Sequence, residues 1–155
     1  MSFRLFGPTL ALFAASLTGV AQDDSDEQAK AVVHQFMKAF KAKDLDGVMS
    51  AVTTPWYHKG QKIIRNSEEV RQAFQRLFGN KKEDLEELHY EIKTVVAYET
   101  VREAMNDQER QLIDQVLSKS DRVLLIQIDK PKMKEIVVLM VTVKAGEAKV
   151  AGLKS

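Results

Sequence analysis

Apolar residues recur at intervals of three and four positions along the segment that follows the acidic stretch at residues 23–27. They are Ala29, Val32, Val33, Phe36, Met37 and Phe40. This spacing predicts an amphipathic helix that buries one face. The opposite face carries Lys30, His34, Lys38 and Lys41. Because its helical neighbours are lysines, His34 is expected to lie in solvent rather than to bind a ligand.

A short helix and a hairpin are predicted next. Asp44 is suited to cap the helix, whose apolar stripe is Leu45, Val48, Met49 and Val52. Pro55 restricts the residue before it to extended geometry, so the helix should end ahead of this proline. The stretch WYHKGQKIIR, residues 56–65, then predicts two short strands that turn at Lys59-Gly60.

A third helix should begin at Ser67, whose hydroxyl is suited to cap it, and end at Gly79-Asn80. Its apolar stripe is Val70, Phe74, Leu77 and Phe78. The stretch LHYEIKTVVAYETV, residues 88–101, predicts a long strand. Alternation places one set of its residues on a single face: Tyr90, Ile92, Thr94, Val96 and Tyr98. One wet face and one covered face indicate an antiparallel sheet.

The remaining chain predicts one helix and three strands. Residues 101–119 show helical spacing at Val101, Ala104, Met105, Leu112, Val116 and Leu117. RVLLIQIDK, KEIVVLMVTVK and AKVAGLKS read as strands, with turns at residues 129–132 and 145–147. The first two of these strands are apolar on both faces, which is typical of a sheet covered on both sides. This order of elements predicts an α+β fold.

The chain begins with the pattern of a secretory leader. Arg4 supplies a positive start, and an apolar run extends from Leu5 to Leu17. Gly19 and Ala21 are small residues placed as signal peptidase requires. A retained membrane anchor is the alternative, but the apolar run is shorter than the roughly 20 residues of a bilayer span. We therefore expect a cleaved signal peptide.

Removal of residues 1–21 leaves residues 22–155 as one domain, which we expect to be secreted or periplasmic, without stable membrane insertion. The whole chain has 23 basic and 22 acidic residues. Arg4 is the only charge in the leader, so the mature domain is balanced and has no electrostatic reason to bind nucleic acid. Cysteine is absent, which excludes disulfides and thiolate metal sites. The histidines lack paired spacing and no phosphate-binding glycine loop occurs, so no metal and no cofactor are predicted.

Residues 31–78, AVVHQFMKAFKAKDLDGVMSAVTTPWYHKGQKIIRNSEEVRQAFQRLF, and the closing EAKVAGLKS resemble the nuclear transport factor 2-like superfamily, which includes SnoaL-like and ketosteroid-isomerase-like proteins. The resemblance implies a cone-shaped, curved antiparallel sheet wrapped around N-terminal helices, a cystatin-like roll with an apolar pocket inside. It also implies a homodimer formed through the sheet. Family members often carry glycine before the third helix. Asn66 takes that place here, where we expect a left-handed turn.

The predicted helix near residues 101–119 departs from the simple form of the superfamily. It could serve as a lid, as an oligomer contact or as an external ornament, and the sequence leaves these alternatives open.

Candidate site residues come from the aromatic strands. Alternation places Trp56 and His58 on one face, and Tyr90 and Tyr98 are expected to look towards the helices. These four residues form the predicted ligand-binding set. In the superfamily's enzymes a polar pair in a dry pocket moves protons, so His58 with Tyr90 or Tyr98 is the acid–base pair that this chain offers. The alternative is an exposed His58 and tyrosines at the edge of the core.

Three functional hypotheses follow. The first is a non-catalytic domain that binds a small apolar ligand in the cone or a protein on the sheet. The second is a SnoaL-like isomerase, dehydratase or cyclase that acts on a hydrophobic carbonyl substrate, with His58 as base. The third is a dimerising structural protein with a filled cone. The apolar late strands favour the first hypothesis over an enzyme.

Overall fold

The computed structural model describes residues 24–80 and 84–155. In chain order the elements are α1 (residues 24–41), α2 (Leu45–Ala51), β1 (Val52–His58), β2 (Lys62–Ile64), α3 (Ser67–Phe78), β3 (His89–Ala97), α4 (Tyr98–Arg102), α5 (Asp107–Ile113), β4 (Arg122–Lys130), β5 (Met133–Lys144) and β6 (Glu147–Lys154). The predicted leader lies outside the described residues. Within these two ranges, no helix has both the length and the apolar character that a bilayer span requires.

The six strands form one curved sheet in the order β2-β1-β6-β5-β4-β3. Strands β3 to β6 are joined in an antiparallel series, and β1 forms an antiparallel hairpin with β2. β1 and β6 run parallel, and this pair joins the β1–β2 hairpin to the antiparallel series. The predicted α+β fold is confirmed, and this parallel pair is an exception to its antiparallel sheet.

The three N-terminal helices pack on one face of the sheet. The periodicity of α1 predicts its buried face correctly, since Ala29, Val32, Val33, Phe36 and Met37 are all buried. These residues share a core with Trp56, Val70, Phe74, Leu124, Ile126, Leu139, Val141 and Val150. The alternate positions of the central strands face the other way, as a pleated sheet requires.

The opposite face of the sheet is covered by residues 98–121. The predicted insertion is present as two short helices rather than one, because Asn106 adopts extended backbone and caps α5 by accepting a hydrogen bond from the Glu109 N–H at 2.8 Å. A second core lies beneath it: Tyr57, Tyr98, Ile113, Val116, Leu117, Val123, Met140 and Ala151. Ile136 on the same face remains 50% exposed, and a homodimer through the sheet stays a prediction.

Strict alternation fails in β3. The pairing of β3 with β4 shifts register between Ile92 and Thr94. Tyr90 and Ile92 therefore pack against the helical core, whereas Tyr98 belongs to the core beneath the insertion. The prediction that Tyr90 and Tyr98 share one face is wrong. The β-bulge inserts one extra residue into β3. Side chains after it therefore face the opposite side of the sheet from the one that strict alternation predicts.

The helix caps are partly as expected. Asp44 caps α2 and accepts a hydrogen bond from the Gly47 N–H at 3.0 Å, which confirms that prediction. The predicted cap of α3 at Ser67 is wrong, because Asn66 caps that helix and accepts from the Glu68 N–H at 2.8 Å. Asn66 has φ −108°, so its expected left-handed turn is also wrong. Its carboxamide serves the free N–H groups of the helix instead.

Candidate functional site

A hollow of about 540 Å³ lies between α1, α3 and the concave face of the sheet. Its apolar wall includes Phe36, Phe40, Phe74, Leu77, Ile126 and Leu139. Charged and polar residues occur at the end formed by the β1–β2 turn and the end of α3, where Lys59 and Arg76 are exposed. The cavity is thus apolar inside, and it opens to solvent beside the cationic side chains of Lys59 and Arg76.

Aromatic side chains hold the helical wall of the cavity in place. The ring of Phe74 lies 5.9 Å from the ring of Phe36, 5.6 Å from that of Trp56 and 6.2 Å from that of Phe78, measured between centroids. Phe40 stacks on Phe36 at 5.8 Å. Edge-on and offset contacts at these distances are attractive. Because each of these phenylalanine rings contacts at least two other rings, the packing fixes the shape of the wall.

Trp56 and His58 are brought together, as the alternation of β1 predicts. The indole Nε1–H of Trp56 donates a hydrogen bond to Nδ1 of His58 at 3.2 Å. An indole nitrogen only donates, so Nδ1 of His58 must present a lone pair. The imidazole is therefore neutral and carries its proton on Nε2. Trp56 itself is fully buried behind the cavity wall, whereas His58 lines the cavity.

Burial and nearby cations both favour this neutral imidazole. Burial is the larger cause that lowers the pKa of His58 below its ordinary value of 6.5, and the charges of Lys59, Lys62 and Arg76 lower the pKa further. The same three cations mark this end of the cavity as a region of positive potential. His58 consequently presents an N–H donor at neutral pH.

Two further charges line the cavity at the outer end of β4 and β5. Lys130 lies 4.0 Å from Glu135, which compensates both. Lys59 and Arg76 also line the cavity, and within residues 24–80 and 84–155 no ion pair engages either of them. The described lining thus has an excess of positive charge at the hairpin end.

Tyr90 lies apart from His58. Its hydroxyl makes a hydrogen bond with Nδ1 of His34 at 2.5 Å, and the two rings are 5.7 Å apart. His34 is exposed, as expected, but it also has this side-chain partner, of which its lysine neighbours give no sign. Tyr90 borders a shallow surface depression with Lys38, Lys41 and Glu86 rather than the main cavity.

Tyr98 lies beneath the insertion on the other face of the sheet. It is 1% exposed, and its hydroxyl donates to Oδ1 of Asp114 at 2.8 Å. The guanidinium of Arg102 donates hydrogen bonds to both oxygens of the same carboxylate, from Nε to Oδ1 at 2.9 Å and from Nη2 to Oδ2 at 2.7 Å. The hydrogen bonds from Arg102 are the main reason why the pKa of Asp114 falls to about 2. This group ties α4 to the end of α5.

The predicted set is therefore divided among three places. Trp56 and His58 lie together, whereas Tyr90 and Tyr98 pair with His34 and Asp114. The assignment of all four residues to a ligand site stays a prediction, because no bound molecule tests it. The proposed contact between His58 and a tyrosine hydroxyl is not among the hydrogen bonds of the described residues.

No model of a known protein family matches the chain. No curated protein matches it significantly. Among solved structures, it is similar to a nuclear transport factor 2-like protein of unknown function from Shewanella oneidensis MR-1, with 14% identity, a TM-score of 0.52 and coverage of 83% of this chain and 96% of that chain. It is also similar to a ketosteroid isomerase-like protein from Erwinia carotovora atroseptica, with 14% identity, a TM-score of 0.51 and coverage of 81% and 90%.

A third similar structure, from Nostoc punctiforme, is a protein of unknown function with a cystatin-like fold. It has 9% identity, a TM-score of 0.52 and coverage of 83% of this chain and 87% of that chain. The chain has the nuclear transport factor 2-like fold. The resemblance predicted from residues 31–78 and the C-terminal strand is confirmed at the level of fold.

Several residues of this nuclear transport factor 2-like cavity were missed by sequence reasoning. Phe36, Phe40 and Phe74 were predicted to face the core, but a helical stripe gives no sign that the space beside it is empty. In the sequence, Lys59 has the pattern of a turn residue and Arg76 belongs to no motif, yet both line the cavity. The feature that could have suggested them is their position at the open end of the cone, beside the Trp56–His58 strand.

The described residues of this domain, which has the nuclear transport factor 2-like fold, hold no cluster of three or more histidine, aspartate or glutamate side chains that could bind a metal ion. The described cavity offers an apolar surface, one neutral imidazole N–H, the cationic side chains of Lys59 and Arg76, the Lys130–Glu135 pair, and the polar residues Asn80 and Ser155.

Proposed function

We propose that this nuclear transport factor 2-like domain binds a small apolar molecule inside the cavity. The observation that carries the proposal is the hollow of about 540 Å³ walled by phenylalanine and aliphatic side chains. This volume is within the usual range of small-molecule sites, which are concave and mostly apolar with a few placed polar groups. A filled cone with a purely structural role has less support, because protein interiors otherwise pack densely.

Binding has more support than catalysis. The alternative function, isomerase, dehydratase or cyclase activity on a hydrophobic carbonyl substrate, gives His58 the role of base. Nδ1 of His58 already accepts from Trp56, and its Nε2 carries the proton. Tyr90 and Tyr98, the proposed oxyanion donors, have partners elsewhere. A protonated Nε2 is suited to orient a bound molecule by donating to it.

The binding proposal is tested with N-phenyl-1-naphthylamine, a neutral apolar probe whose fluorescence rises in an apolar site. Ala73 lines the cavity from α3, and Gln72 on the same helix is exposed and is not part of the lining. We expect Ala73→Phe to fill the cavity and weaken probe binding by about tenfold or more, since a filled site loses the apolar surface that it offers. Gln72→Phe adds the same ring outside the cavity and should leave binding unchanged.

Thermal melting without probe checks that both variants fold. Absence of probe binding to the wild-type protein would overturn the proposal. Equal binding by the wild-type protein and a folded Ala73→Phe variant would place the probe somewhere other than the cavity, and would also count against it.

We further propose that the domain is exported, secreted or periplasmic, on the leader pattern of residues 1–21 alone. Intact-mass measurement of protein recovered after bacterial expression of the full chain should give a mature form that begins at Gln22. Recovery of the unprocessed chain from the cytoplasm would contradict export without affecting the binding proposal.

A further inference from the structure

The open end of the cavity carries charge that an entirely apolar ligand would leave without a partner. Of the charged side chains in the described lining, Lys130 and Glu135 offset each other at 4.0 Å. Lys59 and Arg76 supply the remaining positive charge. A ligand that covers these cations with hydrocarbon removes their hydration and supplies no hydrogen-bond acceptor, so binding carries an uncompensated desolvation cost. A negatively charged group at the same end would offset that cost.

A third donor lies beside these cations. His58 lines the cavity, and its Nδ1 is engaged by Trp56, so Nε2–H is the imidazole atom left to donate to a bound molecule. The three side chains therefore offer only donors at this end: an ammonium, a guanidinium and an imidazole N–H. Such a set is complementary to an acceptor with several lone pairs.

The hairpin that carries two of these residues is fixed to the sheet. The backbone N–H of Lys59 donates to the carbonyl oxygen of Leu153 on β6 at 2.9 Å, and the N–H of Gln61 donates to that of His58 at 3.0 Å. Lys59 adopts φ +55° in this turn. Arg76 comes from the last turn of α3, across the cavity mouth. The donors thus belong to two anchored elements rather than to one mobile loop.

We propose that the molecule bound in the cavity is an apolar compound with a single carboxylate, which Lys59, Arg76 and the Nε2–H of His58 hold at the open end. This inference rests on the proposed binding function and adds the chemical class of the ligand. A carboxylate has two oxygens that match the fork of a guanidinium, and the second cation completes the neutralisation. The hydrocarbon part lies against Phe36, Phe74 and Ile126.

The test compares two probes with the same tail, decanoate and decan-1-ol, by their displacement of N-phenyl-1-naphthylamine from the full domain. Decanoate should bind at least about tenfold more tightly, the scale of one or two charge-assisted hydrogen bonds. Its affinity should fall with rising ionic strength, because the partly exposed cations are screened. The affinity of decan-1-ol should not.

Variants identify the residues responsible. Lys59→Asn with Arg76→Gln should bring the affinity for decanoate down to or below that for decan-1-ol, and it should not weaken decan-1-ol binding, because the desolvation cost of the two cations is removed. Asparagine tolerates the left-handed backbone of position 59. Lys43→Asn is the matched control, since Lys43 also has positive φ, at +54°, but does not line the cavity. It should preserve the preference for decanoate.

The outcomes separate this inference from the proposed function. Equal affinities for decanoate and decan-1-ol, or a preference that survives in the Lys59→Asn, Arg76→Gln variant, would overturn the carboxylate and leave apolar binding intact. Tighter binding of decyl phosphate than of decanoate would overturn the carboxylate in favour of a phosphate group. Failure of the wild-type protein to bind the naphthylamine or either ten-carbon probe would overturn both proposals.

Discussion

Trp56 and His58, two positions apart on β1, are joined by a hydrogen bond of 3.2 Å from the indole N–H to Nδ1 of the imidazole. The bond selects the tautomer of His58 that carries its proton on Nε2, and Lys59 and Arg76 line the same cavity as this imidazole. The buried tryptophan thereby fixes the tautomer of the histidine that lines the cavity.

The first prediction concerns the titration of His58. Its pKa should lie below the ordinary 6.5 and should rise in Lys62→Gln, because Lys62 pairs with His58 across the hairpin and its charge opposes protonation. Titration of the imidazole by NMR gives both values. An unchanged pKa in this variant would show that the charge of Lys62 does not reach the ring.

The same shift affects stability. The pKa of His58 is lower in the folded state, so the unfolded chain binds the proton more readily. The stabilisation that follows is fully present above about pH 6.5 and is lost as the pH falls towards the folded-state pKa. Urea unfolding across this range should show a decline in wild type that is shallower in His58→Gln, which has no imidazole to titrate.

The second prediction concerns Tyr98 and Asp114. Tyr98→Phe should lower the free energy of unfolding by about 1 kcal/mol, the usual net value of one hydrogen bond. The pKa of Asp114 is about 2, below its ordinary 3.8. Its contribution to stability is therefore present above about pH 4 and is lost as the pH falls towards 2. Because the side chain is 38% exposed, water screens part of this effect.

Asp114→Asn should consequently flatten the acid limb of the stability profile. Asp107→Asn is the control in the same segment, since the Asp107 side chain is 91% exposed and lies 3.5 Å from Arg110. Equal effects of the two substitutions on acid unfolding would contradict a special role for Asp114.

The third prediction concerns the buried carboxylate of Asp121 at the end of the insertion. Oδ1 accepts from the N–H of Val143 at 2.9 Å, and Oδ2 accepts from the N–H and the hydroxyl of Ser118 at 2.8 and 3.0 Å. Asp121→Asn turns one acceptor into a donor that faces another donor, and it should cost about 2–4 kcal/mol of unfolding free energy. Ser118→Ala removes one bond and should cost about 1 kcal/mol. Urea denaturation measures both, and a neutral Asp121→Asn would contradict this role.

The fourth prediction concerns the parallel pair of strands. A Cβ at Gly152 would lie 2.6 Å from Cβ of Tyr57 and 2.8 Å from its carbonyl oxygen. Gly152→Ala should therefore force β1 and β6 apart and cost about 1–3 kcal/mol. A Cβ at Gly79 would meet only ordinary contacts, at 3.5 Å and beyond, and its φ of −75° suits alanine. Gly79→Ala should stay within about 1 kcal/mol of wild type. The reverse order in thermal melts would refute the close approach.

The sequence predicts most elements because their signals are local. The stripe of α1 and the turn at Lys59-Gly60 depend on residues a few positions apart. The register shift of β3 depends instead on pairing with β4, and no local pattern records it. Tyr98 was placed on the wrong face for this reason. Trp56, Tyr57 and His58 pair with β2 in unbroken register, so simple alternation places Trp56 and His58 on the same face, as predicted.

The site is harder to predict than the fold because an empty space has no sequence pattern. Phe36 and Phe74 have the same helical spacing whether they fill a core or line a hollow. The cation Arg76 comes near His58 only when α3 lies across the cone mouth. A contact between distant segments of the chain is a property of the folded protein, and composition does not reveal it.

Trp56 and Tyr57 are consecutive residues whose side chains belong to the two different cores. The peptide bond between them thus lies at the boundary between the two cores, with one aromatic side chain packed on each side of the sheet. A substitution that repacks the core beneath the insertion therefore acts on the backbone segment that also carries His58, so we expect it to shift the cavity wall as well. Substitutions at Tyr57 would measure how strongly the core beneath the insertion and the cavity wall depend on each other.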